Sequence, residues 1–231
     1  MFDKLFGRHG TEDGRATDRE TDHAPTDAYE LVGTERWVVL DTETTGLNTR
    51  HDQIISIAAV AVHVEPDLSQ AHIPLVDTFE AVIHQTNPKA KKENILIHHI
   101  GVGEQGLGHA QADVMAWFAN WVGQAPIFAY HAPFDRAMIE HAMKASSLHP
   151  LTNTWVDVQP LANWSVRETY PLGLDECVTR FNLESITRHS AASDTFVTAE
   201  LLLRLLPQIR EAAIDFKQLQ QLAAQNTMWP Y

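Results

Sequence analysis

Residues 37–47, Trp-Val-Val-Leu-Asp-Thr-Glu-Thr-Thr-Gly-Leu, are the most informative stretch of this sequence. Four apolar residues typical of a buried strand lead directly into Asp41, and Glu43 follows two positions later. Because side chains alternate along a strand, both carboxylates point to one side, which is the geometry that a shared cation needs. The following Thr44-Thr45-Gly46 lets backbone approach a ligand closely, with free amides and hydroxyls beside the acidic pair.

The segments around this stretch predict a mixed α/β sheet. The apolar run Ile54–Val64 and a third strand near 76–83 follow after short connections, as in antiparallel hairpins. Helices and strands then alternate, with helices near 109–121, 133–144, 161–166, 174–181, 191–206 and 211–224 and strands near 126–130 and 155–158. Three antiparallel strands followed by alternating helices and strands predict helices on both faces of one mixed sheet.

Two of the predicted helices carry a candidate acidic residue in their first turn. Residues 128–135 are typical of a short buried strand followed by a helix, which puts Asp135 in the first helical turn. Farther along, we place His189 on a loop, Ser190 at the N-cap and Asp194 in the first turn of the helix that follows. Taken singly, each of these acids is ordinary at a helix start.

Together, residues 41–47, 132–135 and 189–194 resemble the DEDDh exonucleases of the RNase H-like fold. The resemblance is strongest to the proofreading-subunit type similar to bacterial DNA polymerase III epsilon, and it spans about residues 36–207, with the motifs in the family's order. It implies a 3′-to-5′ exonuclease that hydrolyses phosphodiester bonds in DNA, prefers single-stranded or frayed ends and releases nucleoside 5′-monophosphates.

The resemblance also implies a role for each matched residue. The catalytic residues would be His189, as general base, and the four carboxylates that bind two Mg²⁺ or Mn²⁺ ions: Asp41, Glu43, Asp135 and Asp194. These ions prefer oxygen ligands, and a pair about 3.5–4 Å apart stabilises the attacking and leaving oxygens. An imidazole with an ordinary pKa near ~6.5 can accept a proton at neutral pH.

Substrate contacts are predicted around these carboxylates. An apolar contact with the terminal base suits Leu47 and Phe134, although either could instead belong to the core. His98 lies in a segment similar to the family's His-Gly-Ile, with His99 in place of glycine. The candidate substrate-binding residues are Thr44, Thr45, Gly46, Leu47, His98 and Phe134. Tyr130-His131 stands where the family usually has His-Asn, so contacts beside Asp135 are expected to differ.

Composition predicts one folded domain with tails. The chain has 231 residues, 44% of them hydrophobic, which suffices for a single α/β core. Residues 1–34 are polar, which predicts a disordered leader, with a docking peptide at its few apolar residues as an alternative. We therefore predict a leader at 1–34, an exonuclease domain at 35–208 and a helical extension at 209–231.

The net charge of −13 disfavours tight binding to duplex nucleic acid, which depends on Lys and Arg. Residues 1–30 hold eight acids and four bases, so they contribute −4 and the rest of the chain −9. Because four carboxylates holding two divalent cations are locally close to neutral, this charge does not exclude transient contact with phosphates.

The sequence also predicts a cytoplasmic protein without membrane spans. Its apolar runs are shorter than the roughly 18–20 residues of a membrane helix, and its first residues lack the apolar core of a signal peptide. The single cysteine, Cys177, cannot form an internal disulfide and falls at a core position of a short helix, which fits a reducing compartment.

Several functional alternatives stay open. The same five catalytic residues also serve enzymes that trim RNA 3′ ends, whereas a catalytically silent binding module would lack at least one of them. The expected partner is single-stranded DNA or a frayed 3′ end, with a DNA polymerase subunit or a sliding clamp as further candidates. Residues 218–222 faintly resemble a clamp-binding peptide, but their amphipathic pattern favours helix packing.

Overall fold

The computed structural model describes residues 34–85, 100, 102–184 and 190–227. The strands are β1 (Glu35–Thr44), β2 (Ile54–Val64), β3 (Ala71–His72), β4 (Thr78–Val82), β5 (Ile127–Ala129) and β6 (Trp155–Asp157). The helices are α1 (Val102–Gly106), α2 (Gln111–Val122), α3 (Ala132–Ala145), α4 (Val158–Val166), α5 (Leu174–Arg180), α6 (Ala191–Ile209) and α7 (Phe216–Gln225). None of the helices in this part of the chain is long and apolar enough to cross a membrane.

The described strands form one six-stranded sheet with the order β3-β2-β1-β5-β6, and β4 also pairs with β2. β1 runs antiparallel to β2 and parallel to β5, and β5 runs parallel to β6. Both β3 and β4 pair with β2 along the edge that faces away from β1. The predicted mixed sheet, with its antiparallel strands first and its helix-strand alternation afterwards, is confirmed.

Alternate residues of β1 pack into two hydrophobic cores on opposite faces of the sheet. Trp37 and Val39 belong to the first core, together with side chains of α4, α5, α6 and α7. Val38 and Leu40 belong to the second core, with α2 and α3. All four side chains are fully buried. Because the alternation continues along the strand, the next residues also point to opposite faces, toward α6 or toward α3.

The C-terminal helix α7 covers part of the first core. The ring of Phe216 lies 5.5 Å from that of Trp37, and Leu219 is fully buried. Burial of Leu219 supports helix packing over a clamp-binding role for residues 218–222. The predicted boundary at residue 208 falls inside α6, which ends at Ile209.

Element boundaries differ from the predictions in several places, among them β1, β3 and α7, and the short helix α1 was not predicted. β1 continues past Asp41 to Thr44, because it pairs with β2 along nearly its whole length. The two-residue strand β3 was not predicted, since so short a strand leaves no periodic pattern. α7 begins at Phe216 rather than near residue 211, because the Asp215 side chain caps the helix by accepting a hydrogen bond from the Gln218 N–H.

Candidate active site

Three carboxylates converge where β1 meets the start of α6. One carboxylate oxygen from each of Asp41, Glu43 and Asp194 lies within 4.8 Å of the others. The first two are two residues apart on β1 and therefore share a face, as predicted. Asp194 is buried and lies in the first turn of α6, also as predicted. Groups from two distant parts of the sequence thus meet at one point.

Local contacts explain why α6 presents Asp194 there. The Ser190 hydroxyl caps the helix by accepting a hydrogen bond of 3.3 Å from the Ser193 N–H, which confirms the predicted N-cap. The Thr195 hydroxyl donates to the Ala58 carbonyl of β2 at 3.1 Å, a buried contact between the helix and the sheet. Since Ala58 pairs with Asp41 across the two strands, this contact fixes the helix start beside the acidic end of β1.

Asp135 reaches the same strand from the opposite face. It lies in the first turn of α3, is 3% exposed, and accepts hydrogen bonds from the Thr42 N–H at 3.0 Å and hydroxyl at 2.7 Å. Burial raises the pKa of Asp135 to about 7 against the opposing effect of these hydrogen bonds, and the charge of Asp157 adds to the rise. A bound cation would favour the ionised form. The fourth predicted ligand thus contacts β1 at Thr42, between Asp41 and Glu43, but lies outside the cluster that they form with Asp194.

The chemistry of the converging groups fits a hydrated divalent cation. Three carboxylate oxygens are the donors that Mg²⁺ and Mn²⁺ prefer, and Mg²⁺ usually keeps several waters when bound. Ser56 pairs with Glu43 across β1 and β2, and its buried hydroxyl has no hydrogen-bond partner among the described residues. The waters of an ion held by Glu43 could supply that partner, since buried polar groups are normally satisfied.

The loop after β1 uses its hydroxyls internally. The Thr44 hydroxyl donates to the Gly46 carbonyl at 2.7 Å, and the Thr45 hydroxyl donates to the Asp52 carboxylate at 2.9 Å. Both hydroxyls thus donate within the protein, and substrate contact by Thr44 and Thr45 stays a prediction. Gly46 also lies against Asp52, because a Cβ there would lie 2.6 Å from the Asp52 carboxylate.

The two apolar candidates for base contact differ in exposure. Leu47 is 85% exposed, so it is not a core residue. Phe134 is partly buried and packs against the second core, next to Asp135. It therefore has a packing role and leaves only part of its ring for a substrate.

Tyr130 and His131, the pair that departs from the family pattern, have separate roles. Tyr130 is 7% exposed and its hydroxyl donates to the Leu172 carbonyl at 2.7 Å, so it anchors the core. His131 is exposed and has a left-handed backbone conformation (φ 64°). Its backbone N–H donates a hydrogen bond to the Asp157 carboxylate at 3.0 Å. Of the two, only His131 is exposed at the start of α3.

Other predicted residues lie outside the described part of the chain. His98 and His189 both fall there, so the general-base and His98 assignments stay predictions. The buried Cys177 is in α5, as predicted. The sequence interpretation missed Thr42 and Asp52, which contact residues of the site. Alternation along β1 could have indicated Thr42, since it must face α3, whereas nothing local indicated Asp52.

Comparison with known proteins points to nucleases. The exonuclease family model RNase_T matches residues 38–202. The PolC-type DNA polymerase III of Staphylococcus epidermidis (strain RP62A) is 29% identical over 181 residues, which cover 78% of this chain. The match covers 12% of the polymerase, so the chain spans about an eighth of that relative's length.

Solved exonuclease structures share the fold. Escherichia coli exonuclease I in complex with a dA16 oligonucleotide aligns with a TM-score of 0.60 and 16% identity, over 77% of this chain and 42% of that one. Exonuclease X in complex with 5′-overhanging duplex DNA aligns with a TM-score of 0.60 and 20% identity, over 81% of this chain and 99% of that one. These neighbours confirm the predicted RNase H-like fold.

Proposed function

This chain belongs to the exonuclease family RNase_T, and we propose that it removes nucleoside 5′-monophosphates from the 3′ end of DNA by a two-metal-ion mechanism. One observation carries the proposal: carboxylates from β1 and α6 converge within 4.8 Å although 151 positions separate Glu43 from Asp194. Like charges this close repel one another, which destabilises the fold unless a cation offsets the repulsion.

In the proposed mechanism, Asp41, Glu43 and Asp194 would hold the metal ions, and Asp135 would add a carboxylate from the other face of β1. Two bound divalent ions would supply electrostatic stabilisation of the attacking and leaving oxygens. Thr42 fixes the orientation of Asp135 through its two hydrogen bonds. His189, which precedes the N-cap residue Ser190 in the sequence, would take the proton from the attacking water.

The proposed substrate is a single-stranded or frayed DNA 3′ end. Leu47 supports this, because an exposed apolar side chain four residues from Glu43 can contact a terminal base of any sequence. The proposed substrate contacts are Thr44, Thr45, Gly46, Leu47, His98 and Phe134. The oligonucleotide held by exonuclease I and the polymerase relative also favour DNA.

The cellular role is a proposal at a coarser level. Because the curated relative is a DNA polymerase, we propose proofreading or repair, in association with a polymerase subunit or a sliding clamp. RNA trimming is the principal competing function, since the same five residues would serve either polymer. A silent binding module is disfavoured because all five residues are present in the sequence.

The test is digestion of matched 5′-labelled DNA and RNA strands with Mn²⁺, using linear strands and closed single-stranded circles. We expect linear DNA to shorten one nucleotide at a time from its 3′ end, mismatched termini to be cut faster than paired ones, and circles to stay intact. Cleavage of circles as fast as linear strands would show an endonuclease. Faster digestion of RNA would make RNA trimming the function.

A further inference from the structure

We propose that Asp52 is a positioning residue, which braces the loop after β1 so that Leu47 meets the terminal base of the substrate. We call residues 45–53 the Leu47 loop. This inference rests on the proposed function and adds a residue that determines how the strand end is held.

The Asp52 carboxylate lies inside the Leu47 loop and accepts hydrogen bonds from residues on both sides of Leu47. One oxygen accepts the Thr45 hydroxyl at 2.9 Å, and the other accepts the Asn48 N–H at 2.8 Å. The Asp52 N–H in turn donates a hydrogen bond to the Asn48 carbonyl, also at 2.8 Å. Leu47 lies between the two partners in sequence, so its backbone is held on both sides.

Gly46 shows how closely this carboxylate packs against the loop. A Cβ added at Gly46 would lie 2.6 Å from one Asp52 oxygen and 2.9 Å from the other. A side chain at this position would displace the Asp52 carboxylate, so Asp52 can keep its present position only with glycine immediately before Leu47. The Thr44 hydroxyl, bound to the Gly46 carbonyl at 2.7 Å, restrains the same peptide from the strand side.

The base of the Leu47 loop is also closed by a backbone bond that does not involve Asp52. The Thr45 N–H donates to the Gln53 carbonyl at 2.9 Å, and the Gln53 N–H donates to the Thr45 hydroxyl at 3.0 Å. Removing the Asp52 carboxylate should therefore free the tip around Leu47 while the base stays attached to β1 and β2. This separation makes the proposal testable without unfolding the site.

A rigid loop explains how an exposed leucine can aid binding. Leu47 is 85% exposed, so its side chain makes little contribution to packing within the fold. Because the backbone around it is already ordered, a base that contacts Leu47 does not have to offset the entropy of ordering the loop. Asp52 is not part of the carboxylate cluster, and the two hydrogen bonds to its oxygens are those of a brace rather than of a metal ligand.

The experiment compares Asp52→Ala, Leu47→Ala and the double variant on two substrates. One is a single-stranded DNA oligonucleotide, and the other is bis(p-nitrophenyl) phosphate, a diester without a base. We expect each single variant to raise KM for the oligonucleotide roughly 10-fold more than KM for the base-free diester, as for loss of one contact to a base. If Asp52 acts through Leu47, the double variant should be no worse than either single one.

Two further variants serve as controls. Asp67 also accepts a hydrogen bond from a loop N–H, that of Ser69 at 3.0 Å. It follows β2 at the end opposite to the Leu47 loop, so Asp67→Ala should leave KM for both substrates unchanged. Asp52→Asn keeps an acceptor oxygen and should recover part of the KM defect, which covers the case in which Asp52→Ala does not fold.

Two outcomes would overturn the inference while leaving the proposed function intact. The first is an equal loss on both substrates, which would mean that Asp52 supports the metal centre. The second is additive defects in the double variant. If the wild-type protein hydrolyses neither substrate, the proposed function is overturned, and the inference with it.

Discussion

The two ends of β1 carry charged groups in opposite arrangements. Near its start, Arg36 donates hydrogen bonds of 2.7 and 2.9 Å to the Asp77 carboxylate, and a ring nitrogen of buried His63 lies 3.6 Å from the same group. Toward its end, Asp41 and Glu43 meet Asp194, so three like charges converge. Opposite charges are paired at one end of the strand and like charges are gathered at the other.

This difference separates stability from function along one strand. An enclosed ion pair with good hydrogen bonds holds its neighbours in place, and removal of one partner leaves a buried charge uncompensated. A cluster of like charges destabilises the fold until a cation binds, so we attribute its presence to metal binding and catalysis rather than to stability. Substitutions near Arg36 should therefore affect the free energy of unfolding, and substitutions near Asp41 should affect catalysis.

The largest expected effect is that of Asp41→Ala, which should lower nuclease activity by at least about 10²-fold, the scale for loss of one electrostatic contact in a transition state. The fold should survive, because a partly exposed carboxylate contributes little packing. Nucleotide release and circular dichroism measure the two effects. The matched control is Asp113→Ala, which removes an exposed acid from the first turn of α2, away from the cluster. Near-normal activity of Asp41→Ala would contradict the metal assignment.

His189→Ala should lower kcat by about 10²- to 10⁴-fold, the usual contribution of a positioned acid or base, and leave strand binding largely intact. Wild-type activity should rise with pH as the imidazole loses its proton, and this acidic limb should change in the variant. Single-turnover rates across pH measure both effects, with the exposed His141→Ala as control. An unchanged rate and an unchanged limb would mean that His189 is not the base.

At the opposite end of β1, Arg36→Ala should destabilise the fold by roughly 3 kcal/mol, the lower part of the range for breaking a buried pair. The loss includes packing, because the Arg36 guanidinium lies 4.5 Å from the centre of the Trp121 ring. Urea denaturation measures the change. Activity at low temperature should persist, and a selective loss of activity in a stable variant would contradict the division between the two ends.

The smallest expected effect concerns pH and His63. Burial lowers the pKa of His63, against the raising effect of Asp77. Because the folded pKa is below the unfolded value of about 6.5, this group's contribution to stability is present above pH ~6.5 and is lost as pH falls through the folded pKa. The non-titrating His63→Gln should therefore show a shallower loss of melting temperature between pH 7.5 and pH 5. Identical slopes for both proteins would exclude His63 as the source.

Local patterns predicted the parts of the site that depend on local geometry. Alternation along β1 placed Asp41 and Glu43 on one face, and helix-start signals placed Asp135 and Asp194 in first turns. The family match confirms the resemblance that joined these segments. The role of His189 stays a prediction.

The contacts that the sequence did not reveal join distant residues. Arg36 and Asp77 are 41 positions apart, and Thr42 and Asp135 are 93 positions apart, so their pairing depends on how strands and helices pack. Asp52 could not be singled out from the sequence, because its partners are backbone and hydroxyl groups, which leave no pattern. Tyr130 was expected to change contacts beside Asp135, but it is buried in the core, where its hydroxyl donates to the Leu172 carbonyl 42 positions along the chain.

The central claim is that the three converging carboxylates hold the cation that hydrolysis requires. Titration of Mn²⁺ into the wild-type protein and Asp194→Asn, with binding followed by electron paramagnetic resonance and hydrolysis of a single-stranded oligonucleotide measured in the same samples, tests it most directly. We expect the wild-type protein to bind Mn²⁺ over the range in which activity appears, and Asp194→Asn to lose both together. Wild-type Mn²⁺ affinity in the inactive variant, or full wild-type activity in the presence of a chelator, would contradict the claim.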